Sequence, residues 1–220
     1  SYARGVWGVK HTRMNDINTR AQKVVILRFT VPPGCGSVHS SGHRRRVNVY
    51  FTAMSTELPS PSEYRGFGAR VTIVASRYNE KYTEALLQNC VSEIEANAPG
   101  VMVDVVRVPG AFEVPVMVKR SIVKPASGVA PDAVVALGVI LRGSTAHADL
   151  IGSSITTQLM GIACETLVPV VHEVLLLDNE EQAFARCIAS SLNRGREAAR
   201  TAVSMLNLVH SSADRRNIRG

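Results

Sequence analysis

The chain has 220 residues, 45% of them hydrophobic, which is enough to bury one sizeable core. Its formal charge of +7 is concentrated at one end, because residues 1–56 hold nine of the 25 Lys and Arg residues and a single acid, Asp16. The rest of the chain is nearly neutral, so we expect it to bind neither nucleic acid nor membranes.

The cysteines and the apolar runs indicate where in the cell the protein is expected. The four cysteines show no CxxC spacing, which favours a reducing compartment over a disulfide scaffold. No run approaches the roughly 18 apolar residues that a spanning helix needs. We therefore expect a soluble, cytoplasmic protein.

Residues 1–66 lack sustained hydrophobic periodicity, and we predict a mostly disordered, basic N-terminal extension. Its arginine-rich, acid-poor and serine-containing composition fits an organellar transit peptide, in which case the location is an organelle. Alternatively, residues 1–53 are upstream sequence that precedes a start at Met54. A nucleic-acid-binding arm is a third interpretation, for which the run Arg44-Arg45-Arg46 is weak support.

From Ala69 onward, strand-like and helix-like segments alternate. In chain order we predict strands over 70–75, 101–108, 133–140 and 168–177, and helices over 80–96, 114–123, 150–166, 180–192 and 195–209. The strands are nearly continuous Val, Ile and Leu runs, as in parallel strands covered on both faces. The pattern predicts an α/β fold: a three-layer α/β/α sandwich with a four-stranded parallel sheet over residues 67–210, followed by a polar tail over 211–220.

Polar turns follow each predicted strand, and the carboxyl ends of parallel strands share one edge of a sheet. The most informative turn is Arg142-Gly143-Ser144-Thr145-Ala146-His147-Ala148-Asp149. A small, hydroxyl-bearing turn that opens a helix directs free N–H groups and a positive dipole at one point, which suits phosphate. His147 beside it can transfer a proton near neutral pH.

Each of these residues also has a purely structural interpretation. Ser144 and Thr145 fit an ordinary helix N-cap, and Arg142 fits a salt bridge. Glu113 before Pro115 fits a helix start. Arg186 fits a solvated helix face, although a guanidinium is also well suited to gripping phosphate.

Four motifs in order and spacing resemble the 6,7-dimethyl-8-ribityllumazine synthase family of riboflavin biosynthesis. They are Ser76-Arg77-Tyr78-Asn79, the segment 108–115 around Gly110-Ala111-Phe112-Glu113, the segment 136–147 ending in Arg142-Gly143-Ser144-Thr145-Ala146-His147, and the segment from Pro169 through Asn179-Glu180-Glu181-Gln182-Ala183 to Arg186. The likeness covers about residues 68–209. It implies a flavodoxin-like fold.

The resemblance also implies an activity, the penultimate step of that pathway. Family members condense 5-amino-6-(D-ribitylamino)uracil with 3,4-dihydroxy-2-butanone 4-phosphate and release phosphate and water, with no cofactor and no metal. The resemblance assigns proton transfer to His147 and phosphate binding to Gly143, Ser144, Thr145 and Arg186.

The remaining site residues are assigned on the same basis. The pyrimidine and ribityl site would be lined by Tyr78, Ala111, Phe112, Glu113, Val139, Ile140, Leu141 and His172. Family members form homopentamers, sometimes twelve of them in a 60-subunit shell, and share each site across a subunit boundary. Arg186 and His172 would then serve the neighbouring subunit.

Several positions depart from the family pattern. His172 and Tyr78 each stand where phenylalanine is common, Ala148 replaces an aromatic residue, and a lysine often found near Ser190 is missing. Arg194 is a further candidate for the phosphate field. These departures support an alternative, a catalytically weak or inactive homologue that forms shells or binds flavin. A flavodoxin-like redox or nucleotide-binding domain is less favoured, because the turn after the first strand contains no glycine.

Overall fold

The computed structural model describes residues 58–217, with side chains up to residue 211. Its four strands are β1 (Arg70–Ser76), β2 (Met102–Val108), β3 (Ala133–Leu141) and β4 (Val170–Leu177). Its α-helices are α1 (Glu80–Asn97), α2 (Val114–Val123), α3 (His147–Thr166), α4 (Glu180–Ala183) and α5 (Arg194–Asn217). A 3₁₀ turn over Ala111–Glu113 precedes α2, and a π-helical turn over Phe184–Ile188 follows α4.

The strands form one parallel sheet in the order β2-β1-β3-β4, with a helix layer on each face. Helices α1 and α5 cover one face, where Ile73, Leu86 and Leu206 are fully buried. Helices α2 and α3 cover the other, where Val74 and Ile155 are buried. The predicted three-layer, flavodoxin-like sandwich is confirmed, and burial on both faces explains why the strands read as unbroken apolar runs.

The strand order places a topological switch point between β1 and β3, the two central strands. The chain leaves β1 toward β2 on one side, and later strands are added beyond β3 on the other. Ligands in open parallel sheets bind outside the carboxyl ends of the strands at this point. The turns that follow β1 and β3 therefore mark the expected location of a site.

Packing against the domain begins before residue 66, where the sequence analysis placed the boundary. Tyr64 is buried, its N–H donates to Asn97 O (2.9 Å), and its hydroxyl lies 2.7 Å from Nδ1 of His210 on α5. An apolar ring with a polar tip can be buried between α1 and α5 in this way without periodicity in the sequence around it. The predictions of a transit peptide, of an upstream segment before Met54 and of a basic arm lie outside the described residues.

Two helix predictions need correction. The helix predicted over 180–192 ends after Ile188, because Ala189 turns to extended backbone and Asn193 donates from Nδ2 to Cys187 O (2.7 Å). Asn193 also accepts from the N–H of Arg196 and so caps α5. Helix α5 in turn continues to Asn217 and takes in most of the predicted polar tail. Over residues 58–217, no helix is long and apolar enough to cross a membrane.

Candidate active site

The turns that follow β1, β2 and β3 are joined by hydrogen bonds. Tyr78 N–H donates to Pro109 O (3.1 Å), which attaches the β1 turn to the β2 turn. On the other side, Asn79 Nδ2 donates to Val139 O (2.8 Å), which spans the switch point to β3. Asn79 adopts a left-handed conformation (φ 57°), which asparagine tolerates better than most residues. Three separate turns therefore form one rim.

Tyr78 lies against the 3₁₀ turn at Gly110. A Cβ on Gly110 would come within 3.1 Å of the Tyr78 ring and 2.9 Å of a Glu113 carboxylate oxygen, so the close approach requires glycine. The Gly110 N–H donates to that carboxylate (2.9 Å), which fixes Glu113 at the start of α2. Tyr78 and Phe112 are 70% and 63% exposed, so each ring has surface available to a ligand.

The last residues of β3 complete this part of the rim. Val139 is buried, and Ile140 and Leu141 are half-buried. A Cβ on Gly138 would lie 3.6 Å from the Ala111 side chain, so β3 and the 3₁₀ turn are in close contact. The structure thus places seven predicted pyrimidine-site residues along one edge: Tyr78, Ala111, Phe112, Glu113, Val139, Ile140 and Leu141.

The predicted phosphate loop links β3 to α3. Gly143, Ser144 and Thr145 are exposed, and a Cβ on Gly143 would meet no atom within 4 Å. Helix α3 begins at His147, three residues earlier than predicted, and its N-cap Ala146 has no side-chain cap. A 20-residue helix directs the positive end of its dipole and its uncapped N–H groups at this loop. His147, also exposed, is the first helical residue beside it.

Arg142 is held in place by carboxylates, as its structural interpretation predicted. Its guanidinium pairs with Asp149 in the first turn of α3 and, at 2.9 Å, with Asp178 after β4. The hydrogen bond to Asp149 raises the pKa of Arg142. Hydrogen bonds from Gln182 and then from Arg142 lower the pKa of Asp178. Arg142 therefore braces the loop, and its charge is balanced within the chain.

The two other candidate arginines lie in the layer of α1 and α5. Arg186 is half-buried in the π-helical turn, which packs against α1. Arg194 pairs with Glu197 one turn along α5. His147 begins α3, in the layer on the opposite face of the sheet. Across residues 58–211 no hydrogen bond or ion pair joins His147 to either arginine.

His172 lies on β4 and faces α3. Its Nε2 is 2.8 Å from Thr156 Oγ1, and its Nδ1 accepts from the N–H of Val174 (3.1 Å). Burial lowers the pKa of this imidazole. The ring is thus half-buried between a strand and a helix of its own chain.

Sequence reasoning missed Glu173, the next residue on β4. Its side chain is directed at the α1 and α5 layer, and burial raises its pKa to about 8, although Arg194 and, more weakly, Arg186 oppose the shift. The sequence did contain a signal, because Glu173 is the one acidic residue in a strand that is apolar except for His172. Within the described part of the chain, no cluster of three or more His, Cys, Asp or Glu side chains could hold a metal ion.

Comparison with known proteins gives one consistent result. The family model described as 6,7-dimethyl-8-ribityllumazine synthase matches residues 68–210. A protein of that name from Nitrobacter hamburgensis is 39% identical over 142 residues, which cover 64% of this chain and 86% of the relative. Proteins of the same name from Chlorobium phaeobacteroides and Protochlamydia amoebophila are 39% and 37% identical, over 89% and 91% of their lengths.

The matched region contains the whole rim described above, from the turn after β1 to the π-helical turn with Arg186. The four motifs that resembled this family lie within it in the expected order. The chain belongs to the 6,7-dimethyl-8-ribityllumazine synthase family.

Proposed function

We propose that this chain is a lumazine synthase, a transferase of riboflavin biosynthesis. It condenses 5-amino-6-(D-ribitylamino)uracil with 3,4-dihydroxy-2-butanone 4-phosphate to 6,7-dimethyl-8-ribityllumazine, releasing phosphate and water. One observation carries the proposal. Within the region that matches the family, His147 is exposed as the first residue of α3, one residue beyond an open Gly-Ser-Thr loop.

The loop supplies the phosphate site. Gly143, Ser144 and Thr145 provide backbone N–H groups and two hydroxyls at the positive end of α3, which favours an anion there. Arg142 takes no direct part, because two carboxylates already neutralise it. A phosphate bound here lies within reach of His147 on the same turn.

His147 acts as the proton-transfer residue. The nucleophile is the amine of the pyrimidine substrate, which attacks the butanone carbonyl to form an imine with loss of water. Phosphate then leaves, and attack of the ribitylamino nitrogen on the remaining carbonyl closes the ring with loss of a second water to give the lumazine. Each step moves a proton, and an imidazole beside the reacting carbons can both accept and donate it. The protein otherwise orients the two substrates and excludes water.

The aromatic rim binds the pyrimidine and its ribityl chain. Tyr78, exposed and supported by Gly110, offers a flat face on which the ring can stack. Glu113 keeps one carboxylate oxygen on Gly110 N–H and has its second oxygen available for a ribityl hydroxyl. Val139, Ile140 and Leu141, at the end of β3, form the apolar floor of this proposed site.

We further propose that the site is shared between subunits of a homopentamer, with a 60-subunit shell as a possible higher assembly. Within the described residues no hydrogen bond or ion pair joins His147 to Arg186, and we assign the guanidinium that grips phosphate to a neighbour. A groove of about 610 Å³ between α2 and α3 supports association, because the apolar Val116 and Val123 line it and are largely exposed in the single chain.

The experiment uses two inactive variants, His147→Ala and Arg186→Ala. Each alone should lower turnover of the two substrates by about 10²-fold or more, as removing a proton-transfer group or a charged anchor does. Mixed after dissociation and reassembly, they should regain part of the activity, because some sites then combine an intact imidazole with an intact guanidinium.

Arg65→Ala, a change at an exposed arginine that lies away from both the rim and the groove, is the matched control and should leave turnover intact. Assembled wild-type protein without turnover would refute the synthase and favour a shell-forming or flavin-binding homologue. Single variants that stay inactive when mixed would refute the shared site alone.

The proposed location is the cytoplasm, or an organelle if residues 1–53 form a transit peptide. Fractionation of cells that express the full chain distinguishes the two, since import into an organelle is accompanied by a shorter mature chain.

A further inference from the structure

His172 takes part in a chain of hydrogen bonds that ties β4 to α3. The N–H of Val174 donates to Nδ1 at 3.1 Å, and Nε2 lies 2.8 Å from Oγ1 of Thr156. The Thr156 hydroxyl in turn donates to Gly152 O at 2.9 Å. The imidazole therefore has a partner at each nitrogen.

These partners fit one protonation state. A backbone N–H can only donate, so Nδ1 must carry a lone pair and no proton. Thr156 has committed its hydroxyl proton to Gly152, so it accepts from Nε2–H. The network thus holds His172 as the neutral ring protonated at Nε2. Protonating Nδ1 would set two donors against each other and break the bond to Val174.

Within its own chain, the groups around the ring are uncharged. Its partner in register on β3 is Ala136, and α3 contributes Gly152 and Thr156. Glu173 and the two arginines near it belong to the other face of the sheet, because alternate residues of a strand point in opposite directions. Burial lowers the pKa of His172, and among the described residues no charged group on β3 or α3 counteracts this shift.

We propose that His172 is a pH-sensing specificity residue of the pyrimidine site: the neutral ring, braced by α3, supports substrate binding, and the protonated ring opposes it. The inference rests on the proposed function, and the family resemblance implies that His172 serves the pyrimidine site of the neighbouring subunit. A substrate that covers the ring removes water from it and so disfavours its charged form. By linkage, protonation must weaken substrate binding by the same factor.

The sign of the effect follows directly. The ordinary pKa of histidine is 6.5 and burial moves it down, so the ring is neutral at pH 7 and binding is unimpaired. Affinity falls as the pH drops through the lowered pKa, by at most about tenfold per pH unit below it. Above pH 7 the contribution of this residue is constant.

The test measures equilibrium binding of 5-amino-6-(D-ribitylamino)uracil to the assembled full-length protein between pH 5 and 8. His172→Phe keeps an aromatic face and cannot titrate, so the ratio of its dissociation constant to that of the wild type cancels every other ionisation. We expect the wild type to lose severalfold more affinity than His172→Phe between pH 7 and pH 5. Parallel curves for the two proteins would overturn the inference.

A second variant separates a specificity role from a structural one. Thr156→Val removes an acceptor that binds the charged ring more strongly than the neutral ring, so it should move the onset of weakened binding to lower pH, which a merely structural contact would not do. Nitrogen-15 spectra of the ring provide a readout independent of activity. They should report Nδ1 unprotonated at pH 7, and a protonated Nδ1 there would overturn the inference.

The outcomes for the two proposals are distinguishable. Binding with the expected pH dependence but no turnover refutes the synthase and supports the role of His172. Turnover with the same pH dependence in wild type and His172→Phe supports the synthase and refutes the role of His172. Absence of binding at every pH refutes both.

Discussion

Replacing Glu173 with glutamine should make the stability of the fold much less dependent on pH. The carboxyl lies on β4 beneath α1 and α5, among the thiols of Cys90 and Cys187 and near the Arg194–Glu197 pair. Burial raises its pKa to about 8, and the favourable field of Arg194 offsets only part of that shift. Ionisation of Glu173 is therefore less favourable in the folded state than in the unfolded chain, and it lowers the free energy of unfolding.

The sign and size follow from the difference in pKa. The folded value of about 8 exceeds the ordinary value of 4.5, so stability is greatest below pH 4.5 and is lost as pH rises toward 8. Each pH unit inside that window removes about 1.4 kcal/mol. The wild type should lose on the order of 2 kcal/mol between pH 5 and 7, and about 4 kcal/mol by pH 9.

The amide of Glu173→Gln is neutral at every pH and keeps nearly the same shape. Its stability relative to the wild type should rise by these amounts between pH 5 and 9, measured as urea unfolding at one fixed protomer concentration, because association itself adds stability. Glu95→Gln, an exposed carboxyl on α1, is the matched control and should show no such trend. A stability difference between Glu173→Gln and wild type that stays constant across this range would refute the reasoning.

Two further predictions concern strained or unpaired groups. Leu167 is 83% exposed and ends α3 in the left-handed conformation (φ 57°). Because glycine adopts this conformation without strain, Leu167→Gly should stabilise the fold by about 1 kcal/mol. Leu167→Ala keeps the Cβ and should not stabilise it. Equal thermal shifts for both would contradict this. The Ser76 hydroxyl is fully buried with no partner among the described residues, so Ser76→Ala should leave stability unchanged or higher. A loss above about 1 kcal/mol would show instead that a bound water or ligand satisfies the hydroxyl.

The layers of this fold could be predicted from sequence because its strands are buried on both faces. Val71, Ile73 and Val74 must be apolar whichever way they point, and this gives the unbroken run at β1. Helix α2 was predicted with its observed bounds, since Pro115 in the first turn marks its start. The rim followed from topology, because parallel strands end at one edge.

The segment after β4 could not be predicted, because one side-chain cap and one contact with a distant part of the chain decide it. Its composition suits a helix over 180–192, yet a side chain from Asn193 caps the carbonyl of Cys187 and the next helix starts there. Gly195 then passes so close to α1 that a Cβ would lie 2.3 Å from Leu86 O. Local propensity carries no information about a partner more than a hundred residues away.

The charge balance at the phosphate loop also argues for sharing the site. Arg142 is the only described cation on the loop itself, and Asp149 and Asp178 hold it. What remains at the loop are N–H dipoles and hydroxyls, which bind an anion but supply no full positive charge. A phosphate that must leave as a dianion needs such a charge nearby. If the proposed function holds, Arg186 of another copy is the group that the fold leaves available, and a monomer would keep its proton-transfer residue while losing its anchor for the leaving group.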